Sequence, residues 1–133
     1  MVLGEEGKIV LKAVNSTKET VLCPRVEVAD SFLRRLIGFM FRRNIPFGSG
    51  LLFLRCNAIH TFFLLAPLDV IFLDEEGKVV KTIEGLRPWR VVLPVRGARH
   101  TLETAQGSIH RSRTKVGDRI VFLGPIDLSR GDG

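Results

Sequence analysis

Apolar residues in this chain come in short runs cut by glycine, proline and charged turns, the pattern of strands rather than helices. Ile9-Val10-Leu11 and Ala13-Val14 predict a first strand, with Asn15-Ser16-Thr17-Lys18-Glu19 as its turn. Val21-Leu22 and Val26–Val28 predict a second, interrupted at Pro24, whose missing N–H cannot join a ladder. One stretch has helical spacing: Phe32, Leu33, Leu36 and Ile37, behind Asp30 as N-cap and ahead of Gly38 as the terminating residue. It predicts a short helix over Asp30–Ile37. Residues 42–50 read as a loop. Further strands are predicted over Leu51–Leu54, Ala58–Leu65, Val70–Leu73, Lys78–Ile83, Val91–Val95, Arg99–Thr104 and Arg119–Leu123, with Asp74-Glu75-Glu76-Gly77 as a hairpin turn. Ser108–Ser112 reads as a single helical turn, and the tail from Gly124 as frayed. Val70–Leu73 is apolar at every position, so both of its faces should be covered. The fold expected is mostly β: an antiparallel sandwich or barrel with one short helix near 30–37.

Composition fits that reading. The 133 residues suit one domain with its core over about 9–123, and 45% apolar with 26% charged side chains is an ordinary globular mix. This excludes a disordered chain, a collagen-like fibre and a disulfide scaffold. The longest charge-free stretch, Cys56 to Leu68, contains Asn57, His60, Thr61 and Pro67, so it is no bilayer span. The N-terminal Met-Val-Leu-Gly-Glu-Glu-Gly-Lys is no signal peptide, so a cytoplasmic protein without a membrane partner is expected. Cys23 and Cys56 are then expected to be reduced. No Cys-x-x-Cys or Cys/His ladder points to zinc, and no residue pattern implies a cofactor.

Charge changes the picture in one segment. The net charge is +6, and residues 81–119 hold nine basic against three acidic side chains. Such a segment attracts phosphates or acidic partners by its field, or is simply a solvated face.

Candidate chemistry is sparse. Gly48-Ser49-Gly50 lacks the following helix and Lys-Ser/Thr of a phosphate loop. Cys56 and His60 would lie ~13 Å apart on an unbroken strand, too far for a thiol–imidazole pair. His60, Asp69 and Glu103 each sit inside strongly apolar text, where a polar group is paired, neutral or functional. Arg42, closing Phe39-Met40-Phe41, is the expected partner of Asp69 or Glu103, with His60 on the same side of the sheet. Trp89, between Arg87-Pro88 and Arg90, either stacks on a ligand or folds back over a sheet edge.

An ordered set of short segments resembles the Domain of Unknown Function 192 family. Ile37-Gly38-Phe39-Met40-Phe41-Arg42 is similar to its Gly-Leu-Met-Phe-Arg signature, and Gly50-Leu51-Leu52-Phe53 to its Gly-Met-Leu-Phe strand. Pro67–Asp74 resembles its Pro-Leu-Asp strand, Leu102-Glu103 with Gly107 its Leu-Glu step, and Val116-Gly117-Asp118 its terminal turn. Where the common form has Trp-Met-Lys-Asn-Thr, this chain has Ile59-His60-Thr61-Phe62-Phe63-Leu64-Leu65, a His-Thr variant without the Trp and Lys. The resemblance implies a compact, jelly-roll-like prokaryotic domain and no activity. Function is therefore read from the residues. The expectation is a module binding a small molecule or a protein through Arg42, His60, Thr61, Asp69, Trp89 and Glu103. Two alternatives stand beside it: an acid/base enzyme of hydrolase or isomerase type using His60 with Glu103 or Asp69, and nucleic-acid binding through residues 81–119.

Overall fold

The computed structural model describes residues 9–29 and 45–125. The expected helix Asp30–Ile37 and Arg42 lie outside the described residues. Among the described residues, nine strands and one short helix succeed one another in chain order: β1 (Val10–Asn15), β2 (Thr20–Ala29), β3 (Ser49–Phe53), β4 (Ile59–His60), β5 (Leu68–Leu73), β6 (Val79–Leu86), β7 (Val91–Val92), β8 (His100–Ala105), α1 (Ser108–Ser112) and β9 (Ile120–Leu123). The molecule is mostly β.

Seven of these strands form one curled sheet in the order β6-β5-β8-β3-β2-β1-β9, and among the described residues β4 pairs only with β7. The sheet is mixed rather than wholly antiparallel, because β2 and β3 run parallel with Val26 opposite Gly50 and Val28 opposite Leu52. The connection 30–48 between them is long enough for the crossover that parallel neighbours need. Pro24 does not interrupt β2 as expected. A register shift sets Leu11 opposite Val26 but Ala13 opposite Cys23, so Pro24 sits in a bulge where no ladder bond is required of it.

The curl brings the two edge strands back together at one corner. Lys78 bridges Arg119, the Val79 N–H donates to the Asp118 carbonyl at 2.8 Å, and the Ile120 N–H to the Gly77 carbonyl at 2.8 Å. Gly77 is needed there: its φ is +86°, and a Cβ would stand 2.5 Å from the Ile120 carbonyl oxygen. Among the described residues, the backbone bonds that join β6 to the β9 side are confined to this corner.

Two apolar clusters hold the sheet. Inside the curl, Leu22, Val26, Leu52, Ile71, Leu73, Val79, Leu102 and Ile120 pack around Ile109 of α1. On the outer face, Leu51, Phe53, Leu68, Val70 and Phe72 are covered by Ile59, Leu64, Val92 and Val95 from the β4–β7 layer and its flanking loops. β5 alternates between the two, so all six of its residues are buried, as its unbroken apolar text requires. Each such large side chain contributes about 1.5–3 kcal/mol. Both cysteines are free. Burial pushes the Cys23 thiol up to about 12, so it stays a neutral packing group. Among the described residues no helix is long and apolar enough to cross a membrane.

Candidate functional site

The β4–β7 layer is shorter than its apolar text predicts. β4 stops at His60 because the chain turns at Thr61–Leu64, with the Leu64 N–H donating to the Thr61 carbonyl at 3.3 Å and Phe63 at φ 65°. Thr61 organises this turn and the loop beside it. Its N–H donates to the Arg90 carbonyl at 2.8 Å, and its carbonyl accepts from the Trp89 N–H at 2.9 Å. Its hydroxyl donates to the Arg87 carbonyl at 2.7 Å and accepts from the Arg90 N–H at 2.8 Å. A hydroxyl does both at once, which a methyl cannot. The fully buried Thr61 therefore clamps the 87–90 loop against the 61–64 turn.

The clamp presents a run of rings to solvent. His60 stacks on Phe62 with centroids 4.9 Å apart, Phe62 lies 5.7 Å from Trp89, and Phe63 meets Trp89 edge-on at 4.8 Å. Six of the ten exposed large apolar side chains among the described residues come from positions 62–93: Phe62, Phe63, Leu65, Trp89, Val91 and Leu93. Trp89 is 56% exposed and Leu93 75%. Arg87 and Arg90 flank Trp89, both exposed. Phe63 and Trp89 also have φ of 65° and 62°, a region bulky L-residues rarely occupy. Each costs of order 1–3 kcal/mol, so the surrounding bonds hold these rings outward against local preference.

The other expected site residues do not join this platform. Asp69 is buried on the inner face, and its carboxylate accepts three backbone bonds: from Gly85 at 2.9 Å on one oxygen, and from Gly107 at 3.1 Å and Ile109 at 3.0 Å on the other. It straps α1 to the end of β6. Glu103 is opposite Leu51 and Val70, which places it on the outer face, whereas Asp69 is opposite Thr104. The two carboxylates thus occupy opposite faces of the sheet and share no site. Glu103 is 5% exposed, and burial pushes its carboxyl up to about 8. No hydrogen bond or ion pair reaches that carboxyl among the described residues. The pairing expected of Arg42 falls outside those residues. Cys56 donates its thiol hydrogen to the Ala58 carbonyl at 3.0 Å. No group of three His, Cys, Asp or Glu among the described residues could hold a metal ion.

The basic segment is divided. Arg99 faces Glu75 at 3.8 Å and Arg119 faces Glu76 at 3.7 Å, both at the β5–β6 turn. Arg111 lies over the Phe47 ring at 3.7 Å. Arg87 and Arg90 stand at the opposite end of β6 from that turn.

The sequence profile of the DUF192 family, described as Uncharacterized ACR, matches residues 13–122. The chain belongs to the DUF192 family. Its relatives include UPF0127 proteins of two archaea. That of Pyrococcus abyssi is 38% identical over 116 residues, covering 83% of this chain and 96% of the relative. That of Thermococcus sibiricus is 40% identical over 113 residues, covering 80% of this chain and 71% of the relative. Two solved structures share the fold at 22% identity. One, from Sinorhizobium meliloti, is named provisionally as a transcription regulator; its TM-score is 0.75, over 92% of this chain and 96% of that one. The other, of unknown function, is from Novosphingobium aromaticivorans, with TM-score 0.70 over 91% of each chain. In this DUF192 domain the His-Thr variant segment is what builds the platform: Thr61 is the clamp and His60 the first ring. The apolar text of 58–65 concealed Phe62, Phe63 and Leu65 as strand residues. The signal available for them was the Pro88-Trp89 loop, which needed something to stack on.

Proposed function

We propose that this DUF192 domain is a binding module whose aromatic platform takes an apolar segment of a partner protein. The observation that carries this reading is the contiguous run His60–Phe62–Trp89–Phe63, held outward by Thr61 against unfavourable backbone angles. Tryptophan and arginine dominate the energetic centres of protein interfaces, and Trp89 stands between Arg87 and Arg90. The exposed aliphatics Leu65, Val91 and Leu93 favour a protein over a base-stacking ligand. The two free thiols accord with a reducing, cytoplasmic setting. Trp89 is the only tryptophan, so its emission reports on the platform alone. Peptides selected from a displayed library on the wild-type domain, and counter-selected on Trp89→Ala, should shift that emission to the blue. A library that yields no peptide distinguishing the two proteins would overturn the reading.

Single-stranded nucleic acid is the second reading, favoured by stackable rings beside two arginines and by the provisional name of the Sinorhizobium meliloti structure. It requires Trp89 quenching by oligonucleotides, with a log–log salt slope of about −0.7 per phosphate neutralised. An acid/base enzyme using His60 with Glu103 or Asp69 draws no support: His60 accepts from the Phe62 N–H, Asp69 accepts from backbone amides, and among the described residues no bond joins His60 to either carboxylate.

A further inference from the structure

A second surface, distinct from the aromatic platform, lies along β6. This strand has β5 on one side. On the other, the seam at Gly77–Val79 and Gly117–Ile120 ties it to the β9 side at its beginning. At its end, Asp69 bonds both Gly85 of β6 and the Gly107 and Ile109 amides of α1. Between these two ties no backbone bond crosses among the described residues. The result is a slot fixed at both ends, with a volume of about 400 Å³. One wall is the β6 edge with Thr82 and Glu84, and the floor is Ile109. The far wall carries His110, Arg113 and Lys115.

An unpaired strand edge is a template for another strand, and natural proteins protect such edges with lysine. The exposed Lys81 on β6 does so against a second copy of the same edge, because two would meet as like charges. Arg113 and Lys115, both exposed, make the opposite wall basic, and Glu84 is the one acidic side chain among the described residues that line the slot. We propose that this slot accepts an extended, acidic peptide segment that adds as a strand to the free edge of β6, its carboxylates facing Arg113 and Lys115. The two ties keep the slot open before binding, so little ordering of the domain accompanies entry.

The probe is a capped heptapeptide of alternating threonine and glutamate, titrated into the full chain and followed by amide exchange and chemical shifts. The expected result is slowed exchange at Val80–Glu84 amides. Charge reversal in the double variant Arg113→Glu, Lys115→Glu should weaken binding by roughly tenfold, the scale of two reversed exposed charges. A thermal unfolding curve matching wild type checks that this variant is folded. The same peptide N-methylated at alternate residues loses its backbone donors and should not bind. The proposal is overturned if saturating peptide leaves β6 exchange unchanged, if the N-methylated peptide or one with lysine in place of each glutamate binds equally well, or if the shifts map to Trp89 instead.

Discussion

Glu103 shows how one residue can set the pH response of the whole domain. Its carboxyl is buried between Leu51 and Val70 and is pushed up to about 8 from 4.5. Between those values the folded state holds a proton that the unfolded chain releases. Stability should therefore fall as pH rises from about 4.5 to 8, by up to ~1.4 kcal/mol per pH unit, and level off above. Urea unfolding across this pH range measures the effect, and Glu103→Gln should flatten the curve. Asp118 works at lower pH in the opposite sense. Burial raises its pKa, but bonds from Lys18, Asn15 and the Lys115 N–H outweigh that and leave it below the ordinary 3.8. Its contribution is present above 3.8 and is lost on acidification. Asp69→Asn turns an amide NH₂ toward backbone donors and should cost about 2–4 kcal/mol, given bonds to a charged acceptor of about 1.5–3 each. A much smaller loss in denaturant midpoint would mean that the strap between β6 and α1 is dispensable.

At the scale of elements, the Thr61 clamp and the Gly77 seam make separable predictions. Thr61→Val keeps the shape and removes the hydroxyl bonds to Arg87 and Arg90. It should cost about 1–3 kcal/mol and release the 87–90 loop, seen as lower fluorescence anisotropy of Trp89. Unchanged anisotropy would show that ring packing alone holds the platform. Gly77→Ala places a methyl against the Ile120 carbonyl at positive φ and should cost at least ~1 kcal/mol. Most elements are legible in the text, because alternating and unbroken apolar runs report directly which face a strand buries. β5, with both faces buried, is the plainest case. The parallel pairing of β2 with β3 is not legible, since apolar periodicity carries no strand direction. Nor is the early end of β4, where Phe62 and Phe63 look like core and are turned outward by tertiary bonds to the 87–90 loop. Of the expected site, His60, Thr61 and Trp89 come together, because a short polar interruption in apolar text and a proline-bound tryptophan both mark loops. Asp69 and Glu103 have similar apolar neighbours in sequence, but the parity of their strand positions separates them.

For the whole molecule, the strand order has a consequence in time. β1 pairs with β9, with Lys12 opposite Leu123, so the sheet's last junction joins the two ends of the described chain. The β5–β6 hairpin, by contrast, closes through a turn of a few residues. Loop closure over such different spans makes the hairpin an early event and the β1–β9 junction a late one. Substitutions in β9, such as Val121→Ala, should then speed unfolding and leave the folding rate nearly unchanged, whereas Ile71→Val in the hairpin should slow folding. Stopped-flow unfolding and refolding of the two variants measures the difference. The β1–β9 junction is thus the point where the chain commits last, and until it closes the sheet stands unzipped along one side.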